Sequence, residues 1–189
     1  MGTRGLVCVQ KDGEYKVAQY GQYDTNPYGS GVCILKFLKN VNLRVLESDI
    51  SECVFYTKEQ LQEILSEYKP GTMIFGVPWH RELCGITFEE ILSLIMFGNL
   101  RSLKNNSEFA QDSLFCEWGY VIDFDKRTFE VYKGFNKRNL TKKDRFYKGK
   151  STEEYKPIKL ARSYSLNALP TEEEFLDFFY PDEDGEEVS

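Results

Sequence analysis

Histidine is nearly absent from this chain, and its cysteines are not paired by spacing. Among 189 residues there is one histidine, His80, and the five cysteines include no C-x-x-C pair. Zinc sites and cysteine–histidine catalytic sites need more of these residues, and an odd number of dispersed cysteines argues against a disulfide framework. We therefore expect no metal and no cofactor. Cys8 and Cys33 lie in apolar runs and are interpreted as buried core thiols. His80 is either a functional group that titrates near neutrality or a packing or capping residue.

Long apolar runs are also missing. No stretch approaches the roughly 18 residues that a bilayer crossing needs, and the N-terminus lacks the charged, apolar and small-residue regions of a signal peptide. These absences predict a cytoplasmic protein with no membrane partner. With 41% hydrophobic residues, the chain can bury one core. We expect one domain over residues 1–180 and an acidic, flexible tail over residues 181–189.

Charge is distributed unevenly along the chain, which has a net charge of −6. Residues 133–150 contain eight basic side chains and one acid, whereas residues 171–189 contain nine acids and no base. The basic run is either a solvated loop or a phosphate-contacting patch, since Phe135, Phe146 and Tyr147 are interleaved with its charges. Three interpretations of the acidic end are open: a frayed terminus, a segment that docks on the basic run, or a negative surface for a basic partner.

Strand and turn signals predict two hairpins. The first joins residues 6–10 to residues 15–20 around Asp12-Gly13, which is a strong signal for a two-residue turn. The second joins residues 114–124 to residues 128–135, where apolar and polar residues alternate. A further strand is expected over residues 158–164.

Helices are predicted between and after the hairpins. An apolar run from Val32 indicates a short buried helix that stops near Asn40. Capping-box patterns start three more helices, at Thr57, Thr87 and Thr171. The sequence therefore predicts a single α+β domain with a largely antiparallel sheet from two hairpins and short helices packed on it.

A resemblance covers much of the chain. Residues 1–9 (MGTRGLVCV) and 17–24 (VAQYGQYD), with the Pro and Gly loop after them, resemble the opening of a family of uncharacterised proteins from bacteria, phages and fungi. Residues 115–123 (FCEWGYVID) and 169–176 (LPTEEEFL) are similar to that family too. Its usual pattern is a Thr-Arg start and a Gln-Trp-Asp-Gly-Tyr-Pro loop, whereas here Tyr23 replaces Trp and Thr25-Asn26 replace Gly-Tyr. The resemblance implies an intracellular protein often carried by mobile elements, with no established activity.

The candidate binding residues come from this loop, the central strand and the basic run. Asp24 is either a ligand-gripping carboxylate or a turn residue whose side chain bonds its own backbone. Glu117 and Trp118 point into a pocket, or Glu117 faces solvent on an alternating strand. The full set is Arg4, Gln19, Gln22, Tyr23, Asp24, Tyr28, Glu117, Trp118, Lys142, Lys143 and Arg145.

Two classes of function fit these patterns. The first is a non-enzymatic binding protein that inhibits or sequesters a host nuclease or defence component, with a protein or protein–nucleic-acid complex as its partner, or that binds a nucleotide-type ligand. The second is an amide hydrolase of the N-terminal-nucleophile kind, with Thr3 as nucleophile. Removal of Met1 exposes Gly2, which has no nucleophile, so the second reading needs a further processing step.

Overall fold

A five-stranded sheet organises the molecule. The computed structural model describes residues 2–67, 87–149 and 152–181. The strands are β1 (Arg4–Lys11), β2 (Glu14–Gln22), β3 (Val54–Phe55), β4 (Ser102–Leu103), β5 (Trp118–Asp123), β6 (Thr128–Lys133) and β7 (Lys159–Ser165). The large sheet has the order β2-β1-β5-β6-β7, and β3 and β4 form a separate parallel pair. Only the β1–β5 pair of the large sheet is parallel, so the predicted antiparallel character is confirmed.

Both predicted hairpins are present. In the first, Asp12 and Gly13 have φ of 57° and 78°, the positive values that a two-residue hairpin turn requires. The carboxylate of Asp125, in the turn of the second hairpin, accepts hydrogen bonds from Asp12 N and Gly13 N, both at 2.8 Å. The two turns are thereby joined where β1 and β5 run side by side.

The predicted start of the central strand, at Leu114, is wrong. Phe115 N and Cys116 N both donate to the carbonyl oxygen of Asp112, at 3.2 and 2.8 Å, which makes this segment a turn. Strand pairing begins at Trp118, opposite Gly5 and Lys133. The last predicted strand is confirmed as β7, which pairs with β6.

Five α-helices lie within the described ranges of the chain. They are α1 (Val32–Asn40), α2 (Leu43–Ser51), α3 (Lys58–Glu67), α4 (Phe88–Met96) and α5 (Glu172–Phe179). Reciprocal capping bonds at Thr57, Thr87 and Thr171 start α3, α4 and α5, as predicted. The sequence did not predict α2, in which the amides of Arg44 and Val45 donate to the Asn42 side chain at 3.1 and 3.3 Å.

The helices and the loops cover opposite faces of the sheet. On the helical face, Val7, Tyr120 and Phe129 pack in one cluster with apolar residues of α1, α2, α4 and α5. On the other face, Leu6 and Val121 pack with loop residues that include Phe146. The molecule is a single α+β domain with a buried layer on each face. None of the described helices combines the length and the apolar character that a membrane crossing requires.

Candidate functional site

The loop after β2 holds two consecutive residues in the left-handed backbone region. Tyr23 has φ of 74° and Asp24 has φ of 45°, and such conformations cost roughly 1–2 kcal/mol for a residue with a side chain. Thr3 holds this geometry from the start of β1. Its carbonyl oxygen accepts from Tyr23 N, and its hydroxyl oxygen accepts from Thr25 N, both at 2.9 Å. The surrounding structure therefore maintains the strain, a situation that is common at functional sites.

A short π-helical turn, Pro27–Gly31, holds the loop from its other end. The Asn26 side chain accepts from Gly29 N at 3.0 Å, and the carbonyl oxygen of Asp24 accepts from Ser30 N at 2.8 Å. Gly29 is required because a Cβ there would lie 2.1 Å from that same carbonyl oxygen. Asp24 is thus a turn residue through its backbone, while its side chain is exposed and receives no hydrogen bond from the described residues.

The loop forms one wall of a cleft of about 340 Å³. The other walls come from the starts of α1 and α4. The ring of Phe88 approaches β2 closely because Gly21 has no side chain: a Cβ there would lie 2.5 Å from the ring. The lining residues are Gly21, Gln22, Tyr23, Asp24, Thr25, Gly29, Ser30, Cys33, Thr87, Phe88 and Glu89.

The cleft carries two carboxylates, Asp24 and Glu89, and no basic side chain among the described residues that line it. One oxygen of Glu89, Oε2, is buried and has no hydrogen-bond partner in the described structure. Burial raises the pKa of the Cys33 thiol, and the neighbouring Glu89 carboxylate raises it further. Cys33 is therefore a neutral thiol at physiological pH, and the cleft is suited to a ligand group that donates hydrogen bonds or carries positive charge.

Three of the predicted site residues, Gln22, Tyr23 and Asp24, line this cleft together. Tyr28 lies on the adjoining turn, where its exposed ring stacks on Tyr180 with centroids 4.4 Å apart. Gln19 is fully buried, and its Nε2 donates to the carbonyl oxygen of Lys104 at 2.6 Å. Gln19 therefore has a structural role: its hydrogen bond holds the segment at Lys104 against the edge strand β2.

Arg4, Glu117 and Trp118 lie at the adjoining ends of β1 and β5, outside the cleft lining. Arg4 N donates to Glu117 Oε1 at 3.2 Å, and the Arg4 guanidinium lies 4.5 Å from the centroid of the Phe115 ring. Trp118 is 8% exposed and packs edge-on against Phe179. Glu117 is thus engaged with the β1 backbone, and Trp118 belongs to the core.

The residues predicted from the basic run lie in the loop that covers the face of the sheet away from the helices. Lys142 and Lys143 are exposed there. Arg145 instead reaches under the loop, where its side chain is 7% exposed. Phe146, which was expected to be available for stacking, is buried in the core on this face.

Arg145 is the centre of a buried polar network, which we call the Arg145 cluster: Arg145, Asp123, Glu130, Tyr132 and Gln10. Arg145 Nε donates to Glu130 Oε2 at 2.8 Å and to the Tyr132 hydroxyl at 3.2 Å. Its two other nitrogens donate to Asp123 and Gln10. The side chains of Asp123 and Glu130 are 0% and 7% exposed. With its donors taken by protein acceptors, Arg145 anchors the loop to the sheet.

Sequence reasoning missed the cleft residues Cys33, Thr87 and Glu89. A capping box correctly placed Thr87 at a helix start, and Cys33 was expected to be a buried thiol although it is only partly buried. Neither signal indicates that the starts of α1 and α4 meet the loop after β2. That proximity comes from tertiary packing, in which Phe88 contacts the strand at Gly21.

The remaining candidates for catalysis or metal binding are not activated in the described structure. Burial raises the pKa of Cys8 to about 12 and that of Cys53 to about 11. Over residues 2–67, 87–149 and 152–181, no group of three or more His, Cys, Asp or Glu side chains is placed to hold a metal ion. His80, Cys84 and residues 182–189 of the predicted tail lie outside the described residues.

Comparison with known proteins identified no relative of this chain. No family model matches the chain, and no curated protein or solved structure matches it either. The resemblance of its opening to a family from bacteria, phages and fungi therefore stays a prediction.

Proposed function

We propose that this chain is a non-enzymatic binding protein that captures a protein partner at the cleft beside Tyr23 and Asp24. The observation that carries the proposal is the loop itself. Two exposed side chains are displayed on a left-handed backbone that Thr3 holds in place. A loop that is ordered before it meets its partner loses little conformational entropy on binding. Such pre-organisation suits recognition.

The charge of the cleft favours a basic partner. Asp24 and Glu89 are both acidic, and the buried Oε2 of Glu89 has no hydrogen-bond partner among the described residues. A lysine or arginine side chain would supply donors to these oxygens and would bring the charge that the cleft lacks. Proteins that act on nucleic acid carry basic surfaces. A nuclease or another component of a host defence system is therefore the kind of partner that we propose, with inhibition or sequestration as the outcome.

The state of Cys33 favours binding over nucleophilic catalysis. Reactive cysteines have a lowered pKa, whereas burial and Glu89 raise the pKa of the Cys33 thiol. The hydroxyl of Thr3, which the hydrolase hypothesis would make the nucleophile, accepts a hydrogen bond from Thr25 N. That hydroxyl therefore already has a role in shaping the loop. The resemblance to proteins of phages and other mobile elements agrees with an anti-defence role.

The test is a comparative capture experiment. The immobilised full chain is incubated with host lysate, with and without nuclease treatment, and retained proteins are identified by mass spectrometry. The test variant, Tyr23→Ala with Asp24→Asn, removes the exposed ring and the charge from the cleft. The control, Phe97→Ala, removes a 78% exposed ring just after the far end of α4, roughly 13 Å along the helix from the cleft.

We expect a partner that the wild type and Phe97→Ala retain, that the double variant loses, and that nuclease treatment does not release. Retention of the same proteins by all three chains would overturn the proposal. A partner that is lost after nuclease treatment would show that nucleic acid mediates the contact. A nucleotide recovered by extraction, with no protein retained, would replace the protein partner by a small ligand.

A further inference from the structure

A second surface collects positive charge at the end of β6 and the start of β7. It is a groove of about 420 Å³ lined by Lys133, Gly134, Phe135, Asn136, Lys137, Arg138, Lys159, Leu160 and Ala161. Four of these described lining residues are cations and none is acidic. We call this surface the basic groove. It shares no lining residue with the cleft beside Tyr23 and Asp24.

Among the described residues, three of the four cations form no direct ion pair. Lys137 forms an ion pair with Glu154 at 2.7 Å. For Lys133, Arg138 and Lys159, the described part of the chain supplies no carboxylate within ion-pair distance. Lys159 is attracted at longer range to the Asp144 carboxylate, and Lys133 Nζ lies 5.6 Å from the centroid of the Trp118 ring. None of the three basic side chains is therefore neutralised by direct contact with a described carboxylate.

Strand register places two of these cations directly opposite each other. Lys133 on β6 is the antiparallel partner of Lys159 on β7. Cβ atoms at such positions lie roughly 5 Å apart, and like charges there destabilise a sheet. The energetic disadvantage disappears when an anion binds between the two ammonium groups. Lys133 contacts the Trp118 ring, but that contact does not offset the repulsion from Lys159, so the pairing favours an anionic ligand between the two lysines.

An aromatic ring lies among these charges. Phe135 has φ of 51°, and its side chain is 52% exposed. Its amide donates to the carbonyl oxygen of Ser113 at 2.7 Å, and the next amide, of Asn136, donates to the Ser113 hydroxyl at 3.1 Å. These bonds hold a strained backbone that leaves about half of Phe135 exposed, while its ring makes an edge-on contact with Tyr155 at 6.3 Å between centroids. A ring fixed in this way beside cations is a platform on which a planar base can stack.

We propose that the basic groove binds single-stranded nucleic acid, with backbone phosphates on Lys133, Lys159 and Arg138 and one base stacked on Phe135. Exposed rings bind bases whose faces are free, whereas a duplex has its bases already stacked on one another. The site goes beyond the proposed protein capture at the cleft, since it uses other residues and other chemistry.

The test is fluorescence anisotropy of the full chain with labelled oligothymidylate and oligouridylate of about 12 nucleotides, and with a duplex of matched length. Titrations at about 50 to 200 mM NaCl give the dependence of affinity on salt. Three phosphate contacts predict a slope of about −2 in a plot of log affinity against log salt concentration for single strands.

Two variants separate charge from stacking. Lys133→Gln with Lys159→Gln should lower the affinity at least about tenfold and bring the slope close to −0.7, because one contact remains. Phe135→Asn should lower the affinity at least about fivefold and leave the slope unchanged, because it removes only the ring. Asparagine tolerates the left-handed backbone, so this variant keeps the fold. Phe135→Tyr, which retains a ring, should bind like the wild type.

Lys142→Gln with Lys143→Gln is the matched control, because it removes the same charge from exposed residues outside the groove. It should bind nearly as tightly as the wild type. Binding of either oligonucleotide with this pattern of variants supports the proposal. Three results would overturn it: no binding of either oligonucleotide at the lowest salt, equal binding of the duplex, or equal losses in the groove variant and the control.

Discussion

Arg145, in the loop before β7, and Lys159, the first residue of β7, are both positively charged, but the fold surrounds them differently. Arg145 is buried and contacts two carboxylates, Asp123 and Glu130. Lys159 is exposed and faces another cation, Lys133, across the strands. The charge of Arg145 is neutralised by direct contacts inside the protein, whereas Lys159 is exposed and interacts with Asp144 at longer range. Burial and direct contact with carboxylates distinguish the two.

Replacement of Arg145 should have the largest effect. Arg145→Met keeps much of the side-chain volume but leaves Asp123 and Glu130 buried without a cation. Breaking a buried ion pair by removing one partner costs about 3–5 kcal/mol. We therefore expect the free energy of unfolding, measured by urea denaturation, to fall by about that amount. Arg138→Met, at an exposed position, should change it by less than about 0.5 kcal/mol.

A triple variant tests whether the loss of stability comes from the two buried carboxylates that Arg145→Met leaves without a cation. Adding Asp123→Asn and Glu130→Gln to Arg145→Met removes both buried negative charges along with the positive one. The triple variant should be more stable than Arg145→Met alone, because uncharged groups are less costly to bury. If Arg145→Met and Arg138→Met lose the same stability, the contrast between the buried and the exposed cation is wrong.

Carboxylates extend the same comparison, since Asp123 is buried and Asp125 is exposed. The hydrogen bond from Gly13 N is the main reason that the pKa of Asp125 lies below its usual value. Burial opposes this shift, and the Asp12 N and Gln10 hydrogen bonds and the charge of Lys11 add to it. Asp125→Asn removes the charge and one acceptor, so at neutral pH it should cost at most about 1 kcal/mol at this exposed site.

This effect should depend on pH with a definite sign. A carboxyl group whose pKa is lower in the folded protein stabilises the fold above its unfolded value of about 3.9, and the contribution disappears as the pH falls through the folded pKa. The stability difference between wild type and Asp125→Asn should therefore shrink below about pH 4. Asp177→Asn, an exposed change of the same charge on α5, should show no comparable loss at neutral pH. A difference that grows with acidity would contradict the role of Asp125.

Local signals in the sequence were sufficient for most of the fold. The Asp12-Gly13 turn and the boxes at Thr87 and Thr171 involve residues at most three apart, so hydrogen bonds between near neighbours decide the structure. The predicted start of β5 was wrong. Leu114 and Phe115 have side chains typical of strands, but the carbonyl oxygen of Asp112 accepts from Phe115 N and Cys116 N, which forms a turn.

The candidate site was less accessible to prediction, because it depends on contacts that are distant in sequence. The loop residues Gln22, Tyr23 and Asp24 were chosen from their local pattern, yet the cleft also needs Glu89 from α4. Arg145 was chosen for its position in a basic run, and nothing local indicated that Asp123 and Glu130 would bury it. Charge counts along a sequence cannot show which charges meet in space.

Lys159→Glu should have the smallest effect on stability and the opposite sign from Arg145→Met. It places a carboxylate opposite Lys133 and so converts a repulsive cross-strand pair into an attractive one, a change worth about 0.2–1 kcal/mol. We expect this gain to exceed the loss of the longer-range attraction between Lys159 and Asp144. We expect a small rise in the urea midpoint, with Lys142→Glu as a control at an exposed loop position that belongs to no strand pair. A fall in stability would mean that Lys159, like Arg145, stabilises the fold through attraction to neighbouring groups of the protein. A rise would mean that the native lysine is kept at a position where it weakens the sheet, as expected if the basic groove serves a ligand.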